Sequence, residues 1–254
     1  MFRKLLNKLY GLFFGAVFVV VVTPALVLIA VVPGFDRRRW IARHTARLIF
    51  RLAAMPLEVH DLDRIPRGSS VVVANHASYL DGIVLTAVLP PVFSFVIKRE
   101  VTRVPAMHLL LRRLGSQFVE RYDLRKGAAD ARRVLRTAGS GQALAFFPEG
   151  TFRSEPGLRR FHAGAFVAAA RAELEVVPVA ITGTRDILPA DRNLPRPGRI
   201  TVKVLPPVPA ATNGRSDAPK LRDSARSALL KELGEPDLAH VTHTKGARAK
   251  AGPA

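Results

Sequence analysis

The feature that most constrains this chain is the run from Gly11 to Phe35, GLFFGAVFVVVVTPALVLIAVVPGF, 25 consecutive residues without a charge. As a helix it is long enough to cross the roughly 30 Å hydrocarbon core of a bilayer. Arg3, Lys4 and Lys8 precede it, and Arg37, Arg38, Arg39 and Arg43 follow it. With both flanks positive, the positive-inside rule gives no direction. Pro24 lies mid-run, where a proline can kink a helix. A straight span and a bent segment that enters and leaves one leaflet both fit. A cleaved secretory leader also opens on basic and apolar residues, but this run is long for one and a second basic, apolar segment follows.

That second segment is DRRRWIARHTARLIFRLAAM, residues 36–55. Arg39, Arg43, Arg47 and Arg51 recur every four residues and form one helical stripe, while Ile41, Leu48, Ile49 and Leu52 supply apolar surface elsewhere. A basic amphipathic helix with Trp40 at the headgroup level is expected to lie in the membrane interface; a solvated face packed on the domain is the alternative.

Charge narrows the partners. The 254 residues carry 39 Lys+Arg against 20 Asp+Glu, a formal charge of +19, and no cysteine. Disulfides, thiolate zinc sites and a cysteine nucleophile are therefore excluded. The surplus suits polyanions, either nucleic acid or anionic lipid and phosphorylated substrates. It flanks the apolar N-terminus and recurs over residues 98–136. That placement argues for membrane and phosphate, and no nucleic-acid partner is expected.

From Leu57 onward, strand and helix patterns alternate. Strands are predicted over 57–60, 70–75, 92–97, 117–120, 142–147, 175–181 and 199–205, and helices near 79–89, 102–114, 126–138, 160–173 and 218–233. The expected fold is α/β: a mixed, largely parallel sheet flanked by helices, with an N-terminal membrane-embedded helical segment. Residues 1–55 form the anchor, 56–233 the α/β domain, and 234–254 a tail without expected structure.

Nucleophile elbow, Walker A loop, dinucleotide-binding glycines and His-Glu-x-x-His are all absent. Present instead is Asn75-His76-Ala77-Ser78-Tyr79-Leu80-Asp81, directly after an apolar strand. Strand ends opening onto helix starts are where α/β sheets bind ligands. Asp81, on the first helical turn, can fold back to one ring nitrogen of His76, fix its tautomer and leave the other nitrogen as a base. Ser78 with Asp81 also reads as a capping box, and the two roles can coexist. A second strand end carries Phe147-Pro148-Glu149-Gly150-Thr151-Phe152-Arg153, whose backbone and side-chain donors suit an anion, though Pro-Glu-Gly-Thr is also ordinary turn chemistry. Lys98-Arg99-Glu100 and Phe118-Val119-Glu120-Arg121 add cations after two further strands. Val104, Met107, Leu109, Leu110 and Leu111 could line an acyl path, but their spacing favours ordinary core.

These stretches, followed by Val177-Pro178-Val179-Ala180-Ile181-Thr182-Gly183-Thr184, resemble in order the four blocks of the glycerolipid acyltransferase family, in particular the 1-acylglycerol-3-phosphate (lysophosphatidate) acyltransferases. The resemblance covers about residues 70–205. It implies transfer of a fatty acyl group from acyl-CoA or acyl carrier protein to the sn-2 hydroxyl of 1-acylglycerol 3-phosphate, giving phosphatidic acid in phospholipid biosynthesis. His76 then corresponds to the catalytic base and Asp81 to its partner. Lys98 and Arg121 correspond to phosphate-binding positions, Glu149, Gly150 and Thr151 with Arg153 to the acceptor-binding block, and Pro178 to the fourth block's proline. Phe152 stands where many members carry Arg, and Phe161-His162-Ala163-Gly164 replaces a more basic form, which leaves Arg159 or Arg160 as the candidate for that charge. These departures bear on the head group, leaving another lysophospholipid or a lyso-aminolipid as the alternative acceptor. A non-enzymatic membrane lipid-binding protein is the rival from a different class. No metal site or cofactor is expected, and the expected location is the membrane, at the cytoplasmic face.

Overall fold

The computed structural model describes residues 2–120, 124–210 and 217–240. The chain runs α1 (Phe2–Val31), α2 (Phe35–Leu52), β1 (Leu57–His60), β2 (Val71–Ala74), α3 (Leu80–Val88), β3 (Ser94–Lys98), α4 (Pro105–Arg113), β4 (Gln117–Val119), α5 (Leu124–Gly139) and β5 (Leu144–Phe146). It continues through β6 (Leu158–Arg159), α6 (Gly164–Arg171), β7 (Val176–Thr182), α7 (Thr184–Ile187), β8 (Ile200–Val204), α8 (Ala218–Leu233) and β9 (Asp237–Leu238). Each predicted strand and helix has its counterpart, with ends displaced by a few residues.

Seven strands form one sheet in the order β1-β8-β7-β2-β5-β3-β4. All neighbours are parallel except β7 and β8, so the sheet is mixed and largely parallel as the alternation predicts. β2 is central and fully buried because both its faces are covered. Its alternation divides the core: Val72 and Ala74 pack with Ile49, Phe50 and Leu85 from α2 and α3, while Val71 and Val73 pack with Phe166, Ala225 and Leu229 from α6 and α8. The parallel strands end together, which brings the segments after β2, β3, β4, β5 and β7 to one edge.

α1 is unbroken through Pro24. Gly11, Phe14, Val21, Ala25 and Ile29, three, four or seven positions apart and so on one face, are buried, while Leu5, Leu9, Leu12, Phe13, Val19, Val20, Val27 and Leu28 are exposed. Gly11 permits this packing, since a Cβ there would lie 2.7 Å from that of Leu194. The Tyr10 hydroxyl donates to the Ala53 carbonyl at 3.0 Å, so α1 is laid back along α2.

Three of the four arginines of the α2 stripe donate to carbonyls of the domain itself. Arg43 donates to the carbonyls of Ala87 and Val88, at 3.4 and 3.1 Å, and Arg47 donates to Ala87 at 2.8 Å. The buried Arg39 donates to Leu114 and Val92 carbonyls, both at 2.9 Å. The last carbonyls of α3 lack intrahelical donors and sit at the negative end of its dipole, so the Arg43 and Arg47 guanidiniums complete that helix as well as hold it. Arg39 ties Leu114 and Val92 instead, and Arg51 is exposed.

α4 departs from its reading as core, for none of its residues is buried. The tail also departs: Asp237 and Leu238 pair in parallel with Leu158 and Arg159, and residues 241–254 lie outside the described residues.

Candidate active site

Asn75 directly follows β2, and its side chain donates to the Ile181 carbonyl at 2.9 Å and accepts the Ile181 amide at 2.7 Å. That pair locks the end of β2 to β7 in place of further ladder bonds, and the chain then turns into His76.

Asp81 is wholly buried and one of its oxygens, Oδ2, accepts three donors: His76 Nδ1 at 2.9 Å, the Ala77 amide at 2.6 Å and the Ser78 amide at 2.8 Å. A carboxylate oxygen accepts, so Nδ1 carries the hydrogen and the lone pair lies on Nε2. The Ser78 amide contact is half of a capping box, and the Ser78 hydroxyl accepts from the Leu80 amide at 3.1 Å, so Asp81 starts α3 and orients the imidazole together. The ring lies between Phe147, stacked at 4.3 Å, and Phe152, tilted at 4.5 Å. Its side chain keeps 19% of its surface exposed, enough for one edge to meet a substrate.

Glu149 lines the same cavity as His76. Its Oε1 accepts the His76 amide at 2.7 Å and its Oε2 the Arg159 amide at 2.9 Å. Each oxygen accepts a backbone amide and the residue is 4% exposed, so the carboxylate braces the His76 loop. Burial raises its pKa to about 7, against the two amides and Arg185. Gly150 follows at φ +75°, a conformation that favours glycine, and turns the chain so that Thr151 and Arg153 are exposed.

Arg153, Arg159 and Arg185 line one cavity with His76 and Glu149. Arg185 donates to the carbonyls of Arg153 at 3.1 Å and Glu155 at 2.5 Å, and pairs with both oxygens of Glu235 at 3.0 and 2.9 Å. Glu235 Oε2 also accepts the Gly157 amide at 2.9 Å. Arg226 completes the clasp, donating to the Leu158 carbonyl and to Asp237. The loop bearing Arg153 is thus tied to the segment after α8. Sequence reasoning missed Arg185 and Glu235; a cation directly after the fourth block was the available signal for the first, and the second carried none.

Lys98 ends β3 on the same sheet edge and is exposed. Its neighbour Arg99 donates to both oxygens of the buried Asp130 at 2.8 Å, and the Glu120 amide donates to Asp130 at 2.9 Å. One carboxylate on α5 therefore fixes the ends of both β3 and β4. Arg121 lies outside the described residues. Pro178 sits inside β7 opposite Val73.

Residues 56–182 match the family model described as Acyltransferase. A 1-acyl-sn-glycerol-3-phosphate acyltransferase of Chlamydomonas reinhardtii is 29% identical over 218 residues, covering 82% of this chain and 63% of that protein. A lyso-ornithine lipid O-acyltransferase of Pseudomonas aeruginosa is 31% identical over 221 residues, covering 78% and 83%. The chain spans about two thirds of the length of the algal relative and of a chloroplastic acyltransferase of Arabidopsis thaliana, 63% and 66%. In fold it is similar to the crystal structure of the 1-acyl-sn-glycerophosphate acyltransferase PlsC from Thermotoga maritima, with a TM-score of 0.76 at 22% identity, covering 91% of this chain and 96% of that one. The matched region opens just before β1, ends with β7 and holds the whole His76–Asp81 and Glu149 constellation, and by it this chain belongs to the acyltransferase family.

Proposed function

We propose that this chain is a membrane-associated acyltransferase that moves a fatty acyl group from acyl-CoA or acyl carrier protein to the sn-2 hydroxyl of 1-acylglycerol 3-phosphate. The observation that carries the reading is the Asp81 Oδ2 to His76 Nδ1 bond at 2.9 Å, which in the neutral ring puts the free lone pair on Nε2, in a side chain that lines a cavity with arginines. Nε2 takes the hydroxyl proton as the acceptor oxygen bonds to the thioester carbonyl carbon. The tetrahedral intermediate then expels the thiolate, the C–S bond breaks, and the imidazolium returns its proton to sulfur. Products are the ester and the free thiol, with no acyl-enzyme. Arg153 and Arg159, with Lys98 from the neighbouring strand, supply positive charge for the acceptor phosphate.

The location follows from α1. Its buried face is occupied by the domain and its other face is apolar and exposed, so we read it as lying within one leaflet on the cytoplasmic side, where thioester donors are found. A lysolipid can then reach His76 without leaving the bilayer, which spares about 0.8 kcal/mol for each CH₂ that would otherwise enter water.

A lyso-aminolipid acceptor is the second reading, favoured by the Pseudomonas relative and its fuller coverage. Purified protein with labelled acyl donor and a panel of lysophospholipids and lyso-aminolipids, products identified by mass spectrometry, tests both. The expected product is phosphatidic acid, lost in His76→Ala. Free fatty acid alone, or product formed by His76→Ala at the parent rate, overturns the reading.

A further inference from the structure

α4 is an unusual helix for its composition. It carries Met107, Leu109, Leu110 and Leu111, yet buries none of its residues, and with Val104 just before it exposes apolar surface: Val104 57%, Met107 41%, Leu109 54%. Its other side is held. His108 packs edge-on against Phe118 of β4 at 5.6 Å, α4 touches α1, and Arg38 and Arg39 donate to the carbonyls of Arg113 and Leu114 at its end. The exposed apolar surface, spread around the helix because Met107 and Leu109 stand two positions apart, is therefore presented by a fixed element. It is continuous with the apolar side of the N-terminal hairpin, since Phe35 lies against Gly115, directly beyond α4, and is itself exposed. Arg103 and Arg112 flank that surface and are exposed.

We infer that α4 is a lipid-contact element in its own right, an interfacial helix whose Val104, Met107 and Leu109 enter the boundary between headgroups and acyl chains while Arg103 and Arg112 meet anionic lipid phosphates. Apolar side chains rimmed by guanidiniums, on a helix too short to span, suit that boundary and no deeper layer. Charge complementarity selects an anionic bilayer, and continuity with the exposed side of α1 sets its orientation. Because α4 follows the turn Arg99–Arg103, its seating fixes Lys98 at headgroup level, so the contact would act on acceptor capture as well as on attachment. The inference rests on the membrane reading of α1 and goes beyond it.

The chain has no cysteine, so a single introduced thiol reports one position. Full-chain Leu109→Cys, Leu12→Cys and Lys220→Cys proteins, each bearing an environment-sensitive fluorophore, are mixed with phosphatidylcholine vesicles, with and without phosphatidylglycerol, whose acyl chains carry bromine as quencher. The expected result is a blue shift and quenching at positions 109 and 12 and neither at 220. Leu109→Glu should weaken vesicle binding by about 10-fold, and Arg112→Gln should weaken it on anionic vesicles only. Quenching at position 12 with a silent position 109 overturns the role of α4 and leaves that of α1 standing. Silence at both positions overturns the membrane reading and α4 with it. A signal at 109 that follows added acyl carrier protein or rising protein concentration instead of lipid overturns the inference in favour of a protein partner.

Discussion

The amide of His76 lies 2.7 Å from Oε1 of Glu149, and the other oxygen of that carboxylate holds the Arg159 amide, so a single buried acid spans from the loop after β2 to the short strand β6. This brace has a titration of its own. In the folded chain Glu149 keeps its proton up to about 7, above its ordinary value of 4.5, so between these pH values the folded state binds more protons than the unfolded one. Its contribution to stability is then full at low pH and declines as pH rises through the window, by on the order of 3 kcal/mol. Denaturant melts across pH 4 to 8 should show that decline, and Glu149→Gln should flatten it. Activity should run the other way, rising as deprotonation frees both oxygens to accept amides.

Asp81 gathers three donors on one oxygen, and Asp81→Asn replaces an acceptor by a group that cannot hold Nδ1–H and both amides alike. A fall in kcat of about 10³-fold is expected, in the range of a lost base or wrong tautomer. Steady-state kinetics with the fold checked by circular dichroism measures it. A KM change at unaltered kcat would contradict the orienting role.

Asp130 ties Arg99 to the Glu120 amide, fixing the segments beside Lys98. Burial pushes its carboxyl up, but hydrogen bonds from Arg99 and the Glu120 amide outweigh that and hold it low. Asp130→Asn should raise KM for a phosphate-bearing acceptor by about 10-fold, the scale of one charge-assisted contact, and leave an uncharged monoacylglycerol little affected. Equal losses on both acceptors would reduce Asp130 to general scaffolding.

Arg43 and Arg47 close the carbonyl end of α3 from a helix some forty residues earlier. Arg43→Ala and Arg47→Ala should each lower unfolding free energy by about 1 to 2 kcal/mol, since hydrogen bonds to charged groups exceed neutral ones. Chemical denaturation in detergent reads this, with vesicle binding retained in both variants.

Glu235 grips Arg185 and the Gly157 amide. Glu235→Ala should lower kcat/KM by about 10- to 100-fold by loosening the Arg153 loop, in line with small misplacements of positioning groups. Arg185→Ala should give a loss of the same size, and the double variant no further loss.

The strands and the His76 loop were legible because their signals are local: apolar runs such as Val71–Ala74 bounded by turn residues, and a His and an Asp five positions apart on a strand-to-helix turn. Partners distant in sequence were not. Nothing in the four-residue spacing of Arg39, Arg43 and Arg47 tells lipid phosphate from the carbonyls of Ala87 and Val88, because both want the same donors at the same helical face. Likewise the motif placed Glu149 at the site, but its role turned on two backbone amides, one from His76, 73 positions earlier. The stretch from Glu235 to Leu238 has no periodicity to read, and its order comes from Arg185, Arg226 and the edge of β6.

The clasp made by residues 235–238 also sets an order of events during synthesis. α1 and the His76 loop are both made well before residues 235–238, so the cavity wall waits for residues beyond α8. A growing chain would hold the His76–Asp81 pair before its cavity is walled, and the Arg153 loop would be clasped only after translation had passed Leu238.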